Sequence, residues 1–271
     1  MKSAAACCLA GFCVVGTAAR ADDDYLSPTA DRVRLSVGVM RLGSATDIRV
    51  DNSEGVPGTT LSAEHDLGLD SSDIEPKVGV MVRAGENNRI RFDYFTLDRS
   101  ATKTLALGPT GYGSVVLFTG DPVQSDLTMR LVGITYGYSF WHSEPLEFAA
   151  TLGVNATDIS SQVRVNTATR HVFASENLAG PVPTPGLDAT WVVNKHFYLD
   201  GRAQYLRVAV DHFEGSLSIY ELNALYRFHP NISVALGYME VRTDLTSRQT
   251  RDAGYFRFDS KGPQIFLRVA F

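Results

Sequence analysis

Along most of this chain apolar residues recur at every second position, the period of a strand whose two faces differ in character. In Val33-Leu35-Val37-Val39 the interleaved residues are Arg34, Ser36 and Gly38. Val78-Val80-Val82-Ala84 encloses Gly79, Met81 and Arg83, and Ile90-Phe92-Tyr94 encloses Arg91 and Asp93. The same alternation runs through 132–140, 148–154, 187–193, 197–205, 220–228 and 232–238. In the closing octet Ile265, Leu267, Val269 and Phe271 share one face, while Gln264, Phe266, Arg268 and Ala270 share the other. Beyond the first twenty or so residues, no helical spacing competes with this pattern.

The connections alternate too. Short ones are Gly85-Glu86-Asn87-Asn88, Trp141-His142-Ser143-Glu144-Pro145, Val193-Asn194-Lys195-His196 and Phe228-His229-Pro230-Asn231. Longer stretches rich in Gly, Pro and Asp fall near 51–73, 108–125, 167–182, 210–215 and 243–254. Tight turns opposite long loops predict an all-β, antiparallel transmembrane β-barrel. Four turns and five loops give ten strands, with both the N- and C-termini at the tight-turn, periplasmic end. The count falls to eight if 182–193 is not a full strand.

A tilted strand crosses a bilayer in roughly 9–11 residues, yet segments such as 89–107 and 146–166 run longer. Their excess lies on the long-loop side, which predicts a rim protruding outward. Phe140, Trp141, Trp191, Phe197, Tyr198, Phe228 and Phe271 lie beside the tight turns and fit an interfacial girdle. A soluble β-sandwich shares the alternation, but gives no reason for aromatics at nearly every tight turn.

The N-terminus refines this picture. Lys2, an apolar stretch over 4–15, and Ala19-Arg20-Ala21 ahead of three aspartates read as a signal peptide over 1–21, leaving 22–271 as the barrel. Cys7, Cys8 and Cys13 all lie in that segment, so the processed chain would have no disulfide, thiol nucleophile or thiolate metal site. Phe12 directly before Cys13 argues against a lipoprotein cleavage box. Without Lys2 and Arg20, 23 basic residues stand against 30 acidic ones, a net charge of -7, and no basic stripe points to nucleic acid. After residue 21 no run approaches the roughly 18 apolar residues of a membrane helix.

If the apolar faces meet lipid, the interleaved residues point into the lumen: Arg34, Lys77, Arg83, Arg91, Arg202 and Arg268 against Asp93, Glu147, Asp200 and Glu221. Mixed signs at similar depths favour ion pairing, because an isolated charge in a narrow lumen is strongly disfavoured. Ten strands fall well short of the 16–18 that enclose a wide aqueous channel. A paired polar plug is therefore expected, with Gly79, Gly133, Gly137, Gly153 and Gly237 making room for arginines. The alternative is a thread of water and a narrow channel for small solutes.

Chemistry has two loop candidates. Glu64-His65-Asp66 could act as an acid/base group or hold a divalent ion, but neighbours in an extended chain point to alternate sides, so a solvated acidic loop is expected. Asp211-His212 in the fourth loop would need a rim aspartate as partner. A serine hydrolase on the barrel exterior needs Ser and His on adjacent lipid-facing positions. His142, His196 and His229 sit at the opposite end, and His171 and His212 lack an evident serine. No metal or cofactor set is visible, and no enzymatic activity is predicted.

The closing octet resembles the C-terminal signature of Gram-negative outer-membrane β-barrels, which the assembly machinery recognises. Further stretches are similar to uncharacterised proteobacterial outer-membrane barrel proteins over the whole processed chain. They are Gly58-Thr59-Thr60-Leu61-Ser62-Ala63-Glu64-His65-Asp66-Leu67-Gly68-Leu69, Arg89-Ile90-Arg91-Phe92-Asp93-Tyr94-Phe95-Thr96-Leu97-Asp98-Arg99, Phe213-Glu214-Gly215-Ser216-Leu217 and Phe256-Arg257-Phe258-Asp259-Ser260-Lys261-Gly262-Pro263. The resemblance implies the fold, residence in the outer membrane, and contact with its lipid and lipopolysaccharide; it carries no established catalytic residues. Asp211-His212 is similar to the Asp/His arrangement of omptins, ten-stranded outer-membrane proteases, in strand number and residue type but in no motif. The expected function is a structural or surface-interaction barrel, with a narrow channel and a rim or lipid hydrolase as alternatives.

Overall fold

In the computed structural model residues 27–51, 58–106, 108–112, 115–166, 171–210, 213–248 and 253–271 are described. Ten long strands form one antiparallel sheet: β1 (Val33–Val50), β2 (Ser72–Ala84), β3 (Asn88–Thr104), β4 (Pro122–Ser143), β5 (Leu146–Asn166), β6 (His171–Val192), β7 (Phe197–Val210), β8 (Phe213–His229), β9 (Ile232–Ser247) and β10 (Gly254–Ala270). Sequential strands are neighbours, and β10 pairs back onto β1 with Leu35 opposite Val269 and Val39 opposite Ile265. That closure removes the two free sheet edges that hydrocarbon would not tolerate.

The four tight turns lie where the sequence places them. One long loop does not. Residues 171–182 belong to β6, whose pairing with β5 is continuous from Asn166↔His171 to Leu146↔Trp191. Pro181, Pro183 and Pro185 disguise this strand, because their rings mimic loop composition. A full β6 makes the count ten and excludes eight.

Around the tight-turn end the outward face is apolar. Leu222 and Leu236 are 62% and 65% exposed, and Phe140, Trp141, Trp191, Phe228 and Phe271 are exposed beside the turns. Higher up stand Tyr205, Tyr220 and Tyr238, also exposed. Between the two aromatic levels lies a belt of Val, Leu and Ile, the surface expected of lipid contact. Tyr198 is an exception to the expected girdle: it is 1% exposed and lies inside the barrel. As the immediate neighbour of outward-leaning Phe197, it must face the other way.

Above the belt the two faces exchange character. On β1 the inward residues run from Arg34 and Ser36 to buried Met40, Leu42 and Ile48, while the outward ones run from Val33 and Val39 to Arg41, Asp47 and Arg49. The crossover is marked by two adjacent apolar residues: Val39-Met40 on β1, Tyr94-Phe95 on β3, Leu131-Val132 on β4, Ile219-Tyr220 on β8 and Tyr238-Met239 on β9. Register aligns the crossovers of β3 and β4, since Phe95 pairs with Leu131, and sets those of β8 and β9 two residues apart, since Ile219 pairs with Val241. The upper half is thus built like a soluble barrel, apolar inside and charged outside. Its outer face on β9 and β10 is a ladder of opposite charges, Glu240↔Lys261, Arg242↔Asp259 and Asp244↔Arg257.

The first long loop completes that upper half. β2 begins only at Ser72 and leaves one edge of β1 unpaired above Gly43, while the other edge stays on β10; the short strip Leu61–Ser62 takes over, pairing with Asp47 and Ile48. From there the chain turns inward, and Leu61, Ala63, Leu67 and Leu69 are buried with Ile48, Leu97, Leu105, Leu117, Leu127, Phe256 and Phe258. A second apolar cluster (Met40, Leu42, Phe95, Leu131, Leu217, Ile219, Met239 and Val241) fills the section below it. The expectation of a solvated acidic first loop is therefore corrected: its alternate leucines are the stopper of the barrel mouth.

Candidate functional site

The space enclosed by the belt is occupied by charge. All ten residues assigned to the lumen from the sequence point inward, and each makes at least one ion pair. The network climbs from the tight-turn end. Glu147 on β5 receives both its oxygens' bonds from Arg83 Nη2 at 2.9 Å, a third from Arg89 Nη1 at 3.3 Å, and one from the Ser139 hydroxyl. Arg89 reaches on to Asp188 Oδ2 at 3.1 Å, which Arg91 Nη1 also contacts at 2.7 Å. Arg91 Nε and Arg202 Nη1 share Asp93 Oδ2, each at 3.1 Å. Arg202 lies 3.6 Å from Glu221, whose Oε1 accepts from Lys77 Nζ at 2.9 Å and Gln264 Nε2 at 2.8 Å. Arg268 pairs separately with Asp200 and donates to Ser36 Oγ at 3.2 Å.

Such a network has room because many inward positions at this level carry small residues beside the long charged ones, while Tyr198, Leu225 and Phe266 form a small apolar cluster within the same layer. Gly137 shows the fit: a Cβ there would lie 3.0 Å from Arg89 Cγ. Buried charges cost several kcal/mol each unless paired and hydrogen-bonded, and here cations and carboxylates share partners rather than standing as isolated couples. A cavity of about 80 Å³ remains among Arg34, Lys77, Arg91, Asp93, Asp200 and Arg202. A water needs roughly 10–15 Å³ on this measure, so a few waters fit.

Five further members escaped the sequence reading: Asp31, Arg89, Asp188, Arg227 and Gln264. Parity alone marks Arg89, Asp188, Arg227 and Gln264, since each is interleaved in an alternating segment. Asp31 has no such mark. It follows a single 3-10 turn, Pro28–Ala30, that tucks into the tight-turn mouth. There Asp31 accepts from Arg227 Nη2 at 2.9 Å and Arg34 Nε at 3.2 Å, while Arg34 also donates to the Pro28 carbonyl. Tyr198 covers this cluster, with the Arg227 guanidinium 5.6 Å from its ring and its hydroxyl 3.2 Å from Ser233 Oγ. One mouth is closed by this turn and the other by the first loop.

The loop carboxylates are spoken for structurally. Glu64 accepts from Arg99 Nη1 and from the Thr46 backbone N–H at 2.8 Å, tying the loop to β1 and β3. Asp66 accepts from the Ser62 backbone N–H at 2.8 Å and sits 2.9 Å from the exposed His65 ring. Glu64 and His65 thus serve different centres rather than one. Asp211 and His212 lie outside the described residues. Glu75, an inward residue level with Met40, is buried and accepts from the Asp98 backbone N–H at 3.4 Å. Among the described residues no cluster of His, Cys, Asp and Glu could hold a metal ion.

A scan against protein-family models finds no match, and a search of curated protein sequences finds none either. Solved structures match in shape. The outer-membrane protease OmpT of Escherichia coli aligns with a TM-score of 0.56 at 12% identity, over 89% of this chain and 97% of that one. The translocator domain of the autotransporter NalP from Neisseria meningitidis aligns with a TM-score of 0.47 at 11% identity, over 89% of each chain. At these identities the likeness concerns the fold alone, and only the first is close enough to bear on it. The chain has the closed, antiparallel β-barrel fold of Gram-negative outer-membrane proteins.

Proposed function

We propose that this protein is a non-conducting outer-membrane barrel whose task is to hold a rigid, charged platform above the membrane, where it meets lipopolysaccharide, ligands or partner surfaces. Residues 1–21 direct export, the tight-turn end with both termini faces the periplasm, and the closing strand with Ile265, Leu267, Val269 and Phe271 engages the assembly machinery. The observation that carries this reading is the double filling of the barrel. An ion-paired layer within the belt is followed by an apolar core stoppered by Leu61, Leu67 and Leu69. Solute flux would require breaching both. Planar-bilayer recording of the full chain tests it: no unitary current above the lipid baseline is expected, and steady conductance steps would overturn it in favour of a narrow channel.

A rim hydrolase is the second reading, favoured by the fold shared with a protease. Peptide and lipid substrates incubated with the wild type and with Asp211→Ala and His212→Ala variants decide it. Turnover lost in both variants supports an enzyme, whereas absent or unchanged turnover removes these two residues from consideration.

A further inference from the structure

The charges within the belt do not cancel. Asp200 and Arg268 form a neutral couple. Asp31 is shared by two cations, Arg34 and Arg227, but lies at the tight-turn mouth, next to bulk water. In the chain of contacts that climbs from Glu147, five cations (Arg83, Arg89, Arg91, Arg202 and Lys77) hold four carboxylates (Glu147, Asp188, Asp93 and Glu221). Arginine keeps its proton inside proteins, and Lys77 is paired with Glu221 at 2.9 Å. Glu75, the next inward carboxylate up, does not descend to balance the sum. It accepts from the backbone N–H of Asp98, three residues above Phe95, which is the residue level with Lys77. One positive charge of this chain therefore has no counter-charge among the described residues.

Donors are left over at the same place. Arg91 Nη2 is buried without a hydrogen-bond partner, and so is Arg202 Nε, 3.8 Å from Asp188. The two guanidiniums are neighbours, since both reach Asp93 Oδ2 at 3.1 Å, and both line the cavity of about 80 Å³. Three acceptors of its lining are unpaired as well: Asp188 Oδ1, Asp200 Oδ1 and Glu221 Oε2. These call for water, and they disfavour a bulky oxyanion, some of whose oxygens would face carboxylates. A single-atom monovalent anion with a partial water shell satisfies both sets. It accepts from the guanidiniums while its waters donate to the carboxylates. Hydrocarbon outside the wall offers no counter-ion, and an unpaired buried charge is strongly disfavoured.

We propose that this cavity holds one halide ion, chloride under ordinary salt conditions, as a fixed part of the fold. Arg91 Nη2 and Arg202 Nε bind it, and its charge completes the network. The ion adds a ligand to the plugged interior and is independent of any partner met above the membrane.

Bromide, a chloride mimic with a strong anomalous signal, tests it. Crystals of the full chain grown with bromide as the only halide should show one internal anomalous peak, in contact with Arg91. In detergent micelles, replacing gluconate by chloride at about 100 mM and constant ionic strength should shift the urea-unfolding equilibrium roughly tenfold toward the folded barrel, by mass action on an ion that only the folded state holds. Ser36, whose hydroxyl accepts from Arg268 Nε at 3.2 Å, lines the same cavity opposite Gly79. Ser36→Asp supplies the missing negative charge within the chain, so the chloride response and the bromide peak should both vanish. Ser36→Asn, equal in size to the aspartate and neutral, should keep both. The proposal is overturned by a cavity empty of bromide, by equal stability in chloride and gluconate, or by a response that survives Ser36→Asp or is lost in Ser36→Asn as well. Should Ser36→Asp fail to insert, the bromide map and the chloride–gluconate comparison on the wild type decide alone.

Discussion

Lys77 on β2 and Glu221 on β8 meet across the lumen, Nζ to Oε1 at 2.9 Å, although 144 residues separate them in the chain. Met239 Sδ and Gln264 Oε1 complete the surroundings of the ammonium at 3.7 Å and 3.1 Å. The contact joins opposite parts of the wall, so it braces the cross-section as well as neutralising two charges. Removing one partner strands the other in a poorly hydrated interior. Glu221→Ala should cost about 3–5 kcal/mol, and Lys77→Met combined with Glu221→Met appreciably less than the sum of the single changes. Urea unfolding from detergent micelles, followed by tryptophan fluorescence, measures both; additive costs would mean that the pair is not coupled.

Depth along one strand offers a second check. Arginine at Leu222, in the belt on β8, should cost about 2–4 kcal/mol, and the same substitution at Leu236 on β9 a similar amount. Arginine at Ser216, six residues higher on β8 and beyond the crossover, should cost at most about 1 kcal/mol. Equal penalties at Leu222 and Ser216 would contradict the height assigned to the belt.

The stopper should be separable from the wall. Leu67 is 1% exposed, so Leu67→Ala should lose about 2–5 kcal/mol from the upper half. Glu64→Gln removes the ion pair to Arg99 and should free the loop before the barrel itself. Limited proteolysis within 58–71, with the heat-resistant mobility of the barrel on gels unchanged, is the expected result. Simultaneous loss of both would show that loop and wall unfold as one unit.

Much of this was legible beforehand, for a simple reason. A strand in lipid has to alternate, so Arg34, Asp93, Glu147 and Glu221 could be assigned inward from parity alone. What could not be read that way are contacts made by segments without a period. Asp31 arrives from a turn, and the stopper leucines come from a loop whose acidic residues suggested solvent. β6 was half hidden because prolines at alternate positions look like loop until their shared orientation is known. The exchange of faces above the belt was readable in principle. Val39-Met40 and Tyr238-Met239 are two apolar neighbours where a simple alternation allows one.

That exchange has a mechanical meaning. Raising the molecule by one pair of residues would lift greasy side chains into water; sinking it by the same amount would drag Arg41, Arg130 and Lys261 toward acyl tails. Displacement is resisted in both directions by the same few rungs, so the barrel carries its own waterline. A bilayer of mismatched thickness would have to bend to the protein, since the protein has no room to ride higher or lower.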